Sequence, residues 1–105
     1  MSQTDKWQNL QDDIAEFTDK TFGHQSTCVP KLHHLREEVG ELIDEPDDRL
    51  EWADCMILLM DAAKKNGMQM DDLYAYVQEK MEINKKRTWG VPDENGVRRH
   101  VKDVA

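Results

Sequence analysis

Apolar residues recur at every third or fourth position through most of this chain, and that spacing leaves it few folds. Trp7, Leu10, Ile14 and Phe17 form one series, Leu32, Leu35, Val39 and Leu42 a second, and Leu73, Val77 and Met81 the last. Between them lies Cys55-Met56-Ile57-Leu58-Leu59-Met60, apolar on every side of a helix. A membrane span needs about 20 such residues, so a run this short belongs in a helix buried all round. A chain of 105 residues has little interior of its own to bury it in. The pattern therefore predicts an all-α bundle of four helices completed by further copies of the same chain, as a homodimer or homotetramer.

Local signals place the ends of these helices. Thr4 is the expected cap of a first helix reaching about Lys20 with its apolar face inward, and the segment Phe22-Gly23-His24-Gln25-Ser26-Thr27-Cys28-Val29 breaks it. Pro30 opens the second helix, and Asp44-Glu45-Pro46-Asp47-Asp48 ends it. Asp47 or Asp48 caps a third helix that runs through Lys65 and stops at Asn66-Gly67. A fourth extends from about Asp71 to Arg87 or Trp89, ahead of Gly90 and Pro92. Residues 91–105 carry a turn signal at Asp93-Glu94-Asn95-Gly96 but no periodicity, which predicts an extended arm ordered by a partner or a ligand. The whole of 1–105 reads as a single domain with that arm appended.

Charge removes several classes of function. With 22 acidic residues against 14 basic ones, the net charge is −8, which argues against binding nucleic acid through its phosphates. There is no basic and apolar leader and no long apolar run, so the expectation is a soluble cytoplasmic protein without a membrane partner. Cys28 and Cys55 form no CxxC and read as reduced thiols with packing roles. The acids crowd between Glu37 and Asp54, while Lys80, Lys85, Lys86, Arg87, Arg98, Arg99 and Lys102 mark the C-terminal part. An acidic centre for cations and a basic arm for phosphates is a sensible division at a nucleotide–metal site.

Within the acidic centre, two couplets stand out: Glu38/Glu41 on the second helix and Glu51/Asp54 on the third. Residues three apart share a helical face, so antiparallel packing would gather four carboxylates. Oxygen-only ligation suits Mg²⁺, with Mn²⁺ as a substitute, better than zinc. The competing reading is a solvated acidic face. Against it, the couplets border the apolar stripes, where uncompensated carboxylates are costly.

Further residues have two readings each. Lys80, Asn84 and Arg87 share a face of the fourth helix and could grip phosphate and sugar oxygens, or simply form a solvated basic helix end. His34, one turn before Glu38, could bond a ligand carboxylate or stand on the surface. Asp61, seven residues after Asp54, could extend the site or bond a neighbouring helix. Trp7 and Trp89 could stack on a base, though packing is the commoner fate of such residues.

At this point the motifs resemble a known family. Glu37-Glu38-Val39-Gly40-Glu41 followed by Glu51-Trp52-Ala53-Asp54 is similar to the EExxE…ExxD signature of the MazG-type all-α nucleoside triphosphate diphosphohydrolases, with a short interval between the two segments. The chain resembles most closely the small, often phage-encoded dATP/dGTP diphosphohydrolase branch. The likeness runs through LHHLREE, EWAD, LLMDAAKKNG, KMEINKKRTWG and PDENGVRRHV.

The resemblance implies hydrolysis of a nucleoside triphosphate, a purine dGTP or dATP, to monophosphate and pyrophosphate. It assigns Glu38, Glu41, Glu51 and Asp54 as metal ligands for Mg²⁺, with Glu38 also as the base that handles the attacking water. Lys80, Asn84 and Arg87 become substrate contacts, His34 joins them from beside the first couplet, and a bacterial or phage-infected cytoplasm is the implied setting. Two alternatives remain. One is a pyrimidine-directed dCTP or dUTP hydrolase of the same fold. The other is a non-catalytic helical interaction protein, which would need neither Asn84 nor four convergent carboxylates. A di-iron carboxylate bundle would need Glu-x-x-His couplets, and neither couplet has the histidine.

Overall fold

The computed structural model describes residues 3–23 and 27–102, with the backbone alone for residues 3–5. Among these residues there are four helices: α1 Gln3–Phe22, α2 Cys28–Asp44, α3 Arg49–Lys65 and α4 Met70–Lys86. None is long and apolar enough to cross a membrane. The chain forms two compact units, one up to Leu73 and one from Tyr74 onward, and α4 is continuous through the boundary.

In the first unit α3 is the central element, packing against both α2 and α1. The α2–α3 connection is tight. Asp48 caps α3 by accepting bonds from the Leu50 and Glu51 amides at 3.1 and 3.4 Å, and the Trp52 indole donates to the Pro46 carbonyl at 2.9 Å. Cap and indole together set where α3 begins, and therefore where Glu51 stands. At the other end Gly67 adopts φ +86°. Its amide reaches Lys64 O and the Met68 amide reaches Ala63 O, the paired bonds of a Schellman ending. We expect Asp48→Ala to cost about 1 kcal/mol, the usual worth of an N-cap, read as a thermal midpoint lowered by roughly 4–8 °C.

The buried stripe of α1 is not the one the spacing selects. Trp7, Leu10 and Phe17 are exposed, and the inward positions are Gln11, Ile14, Ala15 and Thr18. The reason lies in what α1 meets on α3. Ala62 and Ala63 allow close approach, and polar groups await on either side. Gln11, fully buried, donates to the carbonyls of Met60 and Met68 at 3.0 and 3.1 Å, tying α1 to the end of α3. Lys64 pairs with Asp12 at 2.8 Å, and Lys65 pairs with Asp19.

Other boundaries shift modestly. Thr4 lies inside α1 rather than ahead of it, and its side chain falls outside the described residues, as do residues 24–26 of the connecting loop. Pro30 is the third residue of α2, a position whose amide needs no partner. Cys28 accordingly begins a helix instead of lying in a loop, and both cysteines are free. Within this single chain the run from Cys55 to Met60 is not buried on every side: Met60 is, whereas Met56, Ile57 and Leu59 are exposed.

In the second unit the expected extended arm is folded back on itself. Trp89 and His100 form an antiparallel bridge, flanked by Gly90 N to Arg99 O at 2.8 Å and Val101 N to Thr88 O at 2.7 Å. Their rings meet edge to face, 6.3 Å apart. Asp93 organises the turn. Its carboxylate accepts from the Asn95 and Val97 amides and pairs with Arg99 at 2.8 Å, which holds it below the usual carboxylate range. These contacts are all made within the second unit itself. Residues 103–105 lie outside the described set.

Candidate active site

The pairings across α2 and α3 fix their direction. Lys31 meets Asp61, and Glu38 meets Glu51. Rising numbers on α2 match falling numbers on α3, so the two helices are antiparallel and the acidic couplets face each other. Oxygens of Glu38, Glu41 and Glu51 all lie within 4.8 Å of one another. Asp54 is not part of that close trio. It is exposed, and borders the same cleft as Glu38 and His34.

Crowding shows in the protonation of these groups. Glu38 is held below its ordinary range, first by its hydrogen bond with Glu41, then by bonds with Glu51 and His34 that outweigh desolvation. Glu41 is pushed up, chiefly by the same bond with Glu38 and by the charge of Glu38. Glu51 is pushed up to about 7, first by its hydrogen bond with Glu38, then by desolvation and the charges of Glu41, Glu38 and Asp48. Three carboxylates in one place cannot all ionise cheaply without a cation among them. One oxygen carries the same message. Glu51 Oε2 is buried and has no hydrogen-bond partner, an arrangement that is costly unless something else is bound there. An oxygen-only donor set with an orphaned buried oxygen fits a hard divalent cation.

His34 stands where the first of its readings puts it: its Nε2 lies 3.1 Å from Glu38 Oε1. A partner of this kind orients a ligand carboxylate, and its loss commonly costs 10- to 100-fold in metal affinity or activity. We expect His34→Ala to weaken Mn²⁺ binding about tenfold, measured by calorimetry on metal-free protein; unchanged affinity would make the histidine a bystander.

The cleft beside the trio has a volume of about 610 Å³. Its lining joins Asp61 with Lys31 and Thr18, two residues that no motif in the sequence marks. Lys31 Nζ lies 2.6 Å from Asp61 Oδ2, both side chains being buried, and Thr18 Oγ1 donates to Asp61 Oδ1 at 3.1 Å. Asp61 thus both bonds the neighbouring helices and lines the cleft. The basic face belongs to the second unit. There Asn84 and Arg87 are half-buried and 3.5 Å apart through Oδ1 and Nη1, while Lys80 is exposed. Trp89 is engaged within that unit, donating to the Asn84 carbonyl at 3.2 Å.

The chain is similar to several known proteins. The chain is 42% identical over 69 residues to a dATP/dGTP diphosphohydrolase of Cyanophage S-2L, covering 64% of this chain and 62% of that one. It is 38% identical over 89 residues to the Eaa protein of Salmonella phage P22, covering 85% of this chain and 28% of that protein. It therefore spans less than two thirds of the length of either relative. Among solved structures, a Cyanophage S-2L MazG-like pyrophosphohydrolase, bound to dGDP and three catalytic Mn²⁺ ions per active site, has a TM-score of 0.75 at 33% identity. That match covers 90% of this chain and 95% of the other. The fold is thus all-α and MazG-like. The sequence profile of the dATP/dGTP pyrophosphohydrolases matches residues 10–105, and the chain belongs to that family.

Proposed function

We propose that this protein is a divalent-metal-dependent diphosphohydrolase that cleaves purine deoxynucleoside triphosphates, dGTP and dATP, to monophosphate and pyrophosphate. The observation that carries the reading is the trio Glu38, Glu41 and Glu51, converged to within 4.8 Å around a buried oxygen without a partner. Family membership and the Mn²⁺- and dGDP-bound S-2L structure support it. Bound cations, Mg²⁺ in our reading with Mn²⁺ as a substitute, would offset the charge of the triphosphate, polarise the α-phosphorus and acidify a water. Glu38, Glu41 and Glu51 would hold them, with Asp54 completing the set from the edge of the cleft. Glu38 bonds both carboxylate neighbours and His34, and we assign it the orientation and deprotonation of the attacking water. Lys80, Asn84 and Arg87 would hold phosphate and sugar oxygens.

The whole chain acts as one hydrolase domain in this proposal, and it works as a homo-oligomer. Val39, Ile43, Leu50, Trp52, Met56 and Leu59 are exposed on α2 and α3, apolar surface that a further copy of the chain would cover. Sedimentation at micromolar concentration is expected to give a dimer or tetramer mass; a fully active monomer contradicts the shared bundle. The phage relatives are consistent with work in a bacterial or phage-infected cytoplasm.

The test of the function is product analysis. Each dNTP is incubated with protein and Mg²⁺ or Mn²⁺, and the products are followed by phosphorus NMR. Pyrophosphate from dGTP and dATP is the expected result. Orthophosphate instead, a preference for dCTP or dUTP, or no turnover of any nucleotide overturns the reading.

A further inference from the structure

The buried ion pair on the cleft floor has no structural need to be ionic. Replacing such a pair by apolar side chains of similar volume is often neutral or even stabilising, yet Lys31, Asp61 and Thr18 occupy three of the most buried positions in the first unit. They also retain unused bonding capacity. An ammonium has three donors and a carboxylate about four acceptor sites. Asp61 Oδ1 accepts from Thr18 and Oδ2 pairs with the Lys31 ammonium at 2.6 Å, which leaves acceptor sites unused on both oxygens. Lys31 has no other partner among the described residues. Donor and acceptor therefore stand side by side at the cleft wall.

Their position relative to the carboxylates is informative. Lys31 precedes Glu38 by seven residues on α2, and Asp61 follows Asp54 by seven on α3. At 1.5 Å per residue this places the pair about 10 Å along the bundle from Glu38, the nearest of the three converged carboxylates. That is the reach of a purine nucleotide from its α-phosphate to the far edge of its base. The same cleft is walled by Phe17, Phe22 and Pro30, apolar surfaces suited to the faces of a flat ring.

We propose that Asp61 and Lys31, steadied by Thr18, read the edge of the purine whose phosphates are held at Glu38, Glu41 and Glu51, and that they favour guanine. This rests on the function proposed above. Guanine offers two adjacent donors, N1–H and the 2-amino group, to one carboxylate, and its O6 accepts from the ammonium. Adenine has an amino group where guanine has O6, and no donor at position 2. Hypoxanthine keeps O6 and N1–H but lacks the 2-amino group, so it isolates the second bond.

The experiment compares kcat/KM for dGTP, dITP and dATP, with Mn²⁺, in the wild type, in Asp61→Asn and in the double variant Lys31→Met/Asp61→Leu. In the wild type, dGTP should lead dITP by roughly ten- to hundredfold, the worth of one hydrogen bond to a charged group. Both variants should bring that ratio close to one, whatever happens to the absolute rates. A ratio near one in the wild type, which needs no variant to fold, overturns the inference, as does a ratio that survives in the double variant. Hydrolysis without base discrimination leaves the diphosphohydrolase reading standing and removes only this one. Absence of hydrolysis with every nucleotide removes both.

Discussion

Glu51→Gln is expected to lower dNTP hydrolysis by roughly 100- to 1000-fold, the size of effect that follows loss of one preorganised electrostatic partner in a closed site. Gln keeps the shape of the side chain, but one ligand oxygen becomes an amide nitrogen with no lone pair to offer, and one negative charge is gone. Glu51 is singled out because its Oε2 is buried without a hydrogen bond and because the Asp48 cap fixes its place on the first turn of α3. The effect on stability of the metal-free protein has the opposite sign. The Glu51 pKa is raised from 4.5 to about 7 by folding. Below the lower value it is protonated in both states and costs nothing. Between the two values the folded protein retains a proton that the unfolded chain has lost, so stability falls as pH rises, and above about 7 the penalty is complete. In EDTA, the variant should therefore gain on the wild type between about pH 5 and pH 8 in thermal melts, while remaining inactive with metal. An active variant, or one that loses ground at the alkaline end of that range, contradicts the assignment.

Metal removal has the second large effect. EDTA should abolish hydrolysis, and restoring Mn²⁺ or Mg²⁺ should return both activity and thermal stability. A ligand at 100 times its Kd adds about 2.7 kcal/mol to a fold that binds it only when native. For a domain of this size that corresponds to a midpoint raised by on the order of 10 °C. Metal ligands must be deprotonated, so affinity should weaken as pH falls below the raised pKa of Glu51, about 7. Glu51→Gln should lose most of the metal-induced rise. A midpoint indifferent to Mn²⁺ in the wild type would show that the three carboxylates are only an acidic surface.

Much of this was legible in the chain. The helices follow from periodicity, and the ends of α3 from Asp48, Asn66 and Gly67, because capping is a local matter of a few backbone bonds. The couplets were legible too: the short turn around Pro46 leaves α2 and α3 no arrangement but an antiparallel one. The errors fell where distant residues decide. On α1 the apolar series Trp7, Leu10 and Phe17 is exposed, while Gln11 and Thr18 are buried because Met60, Met68 and Asp61 offer them partners across the fold. The arm after Gly90 has no periodicity to read, yet Asp93 and Arg99 turn it back on itself. Lys31 passes in sequence for an ordinary surface lysine, and only its meeting with Asp61 makes it a floor to the cleft.

By itself, then, the sequence determined the element types, the ends of α3 and which carboxylates share a face, since spacing and capping along one helix set these. Tertiary structure alone decided which acids converge, with Glu38, Glu41 and Glu51 close and Asp54 at the margin. It also decided that Glu51 keeps its proton up to about 7. The reason is physical: a pKa and a ligand cluster depend on distances between groups on different helices and on the water excluded between them, and neither quantity is written in the order of residues.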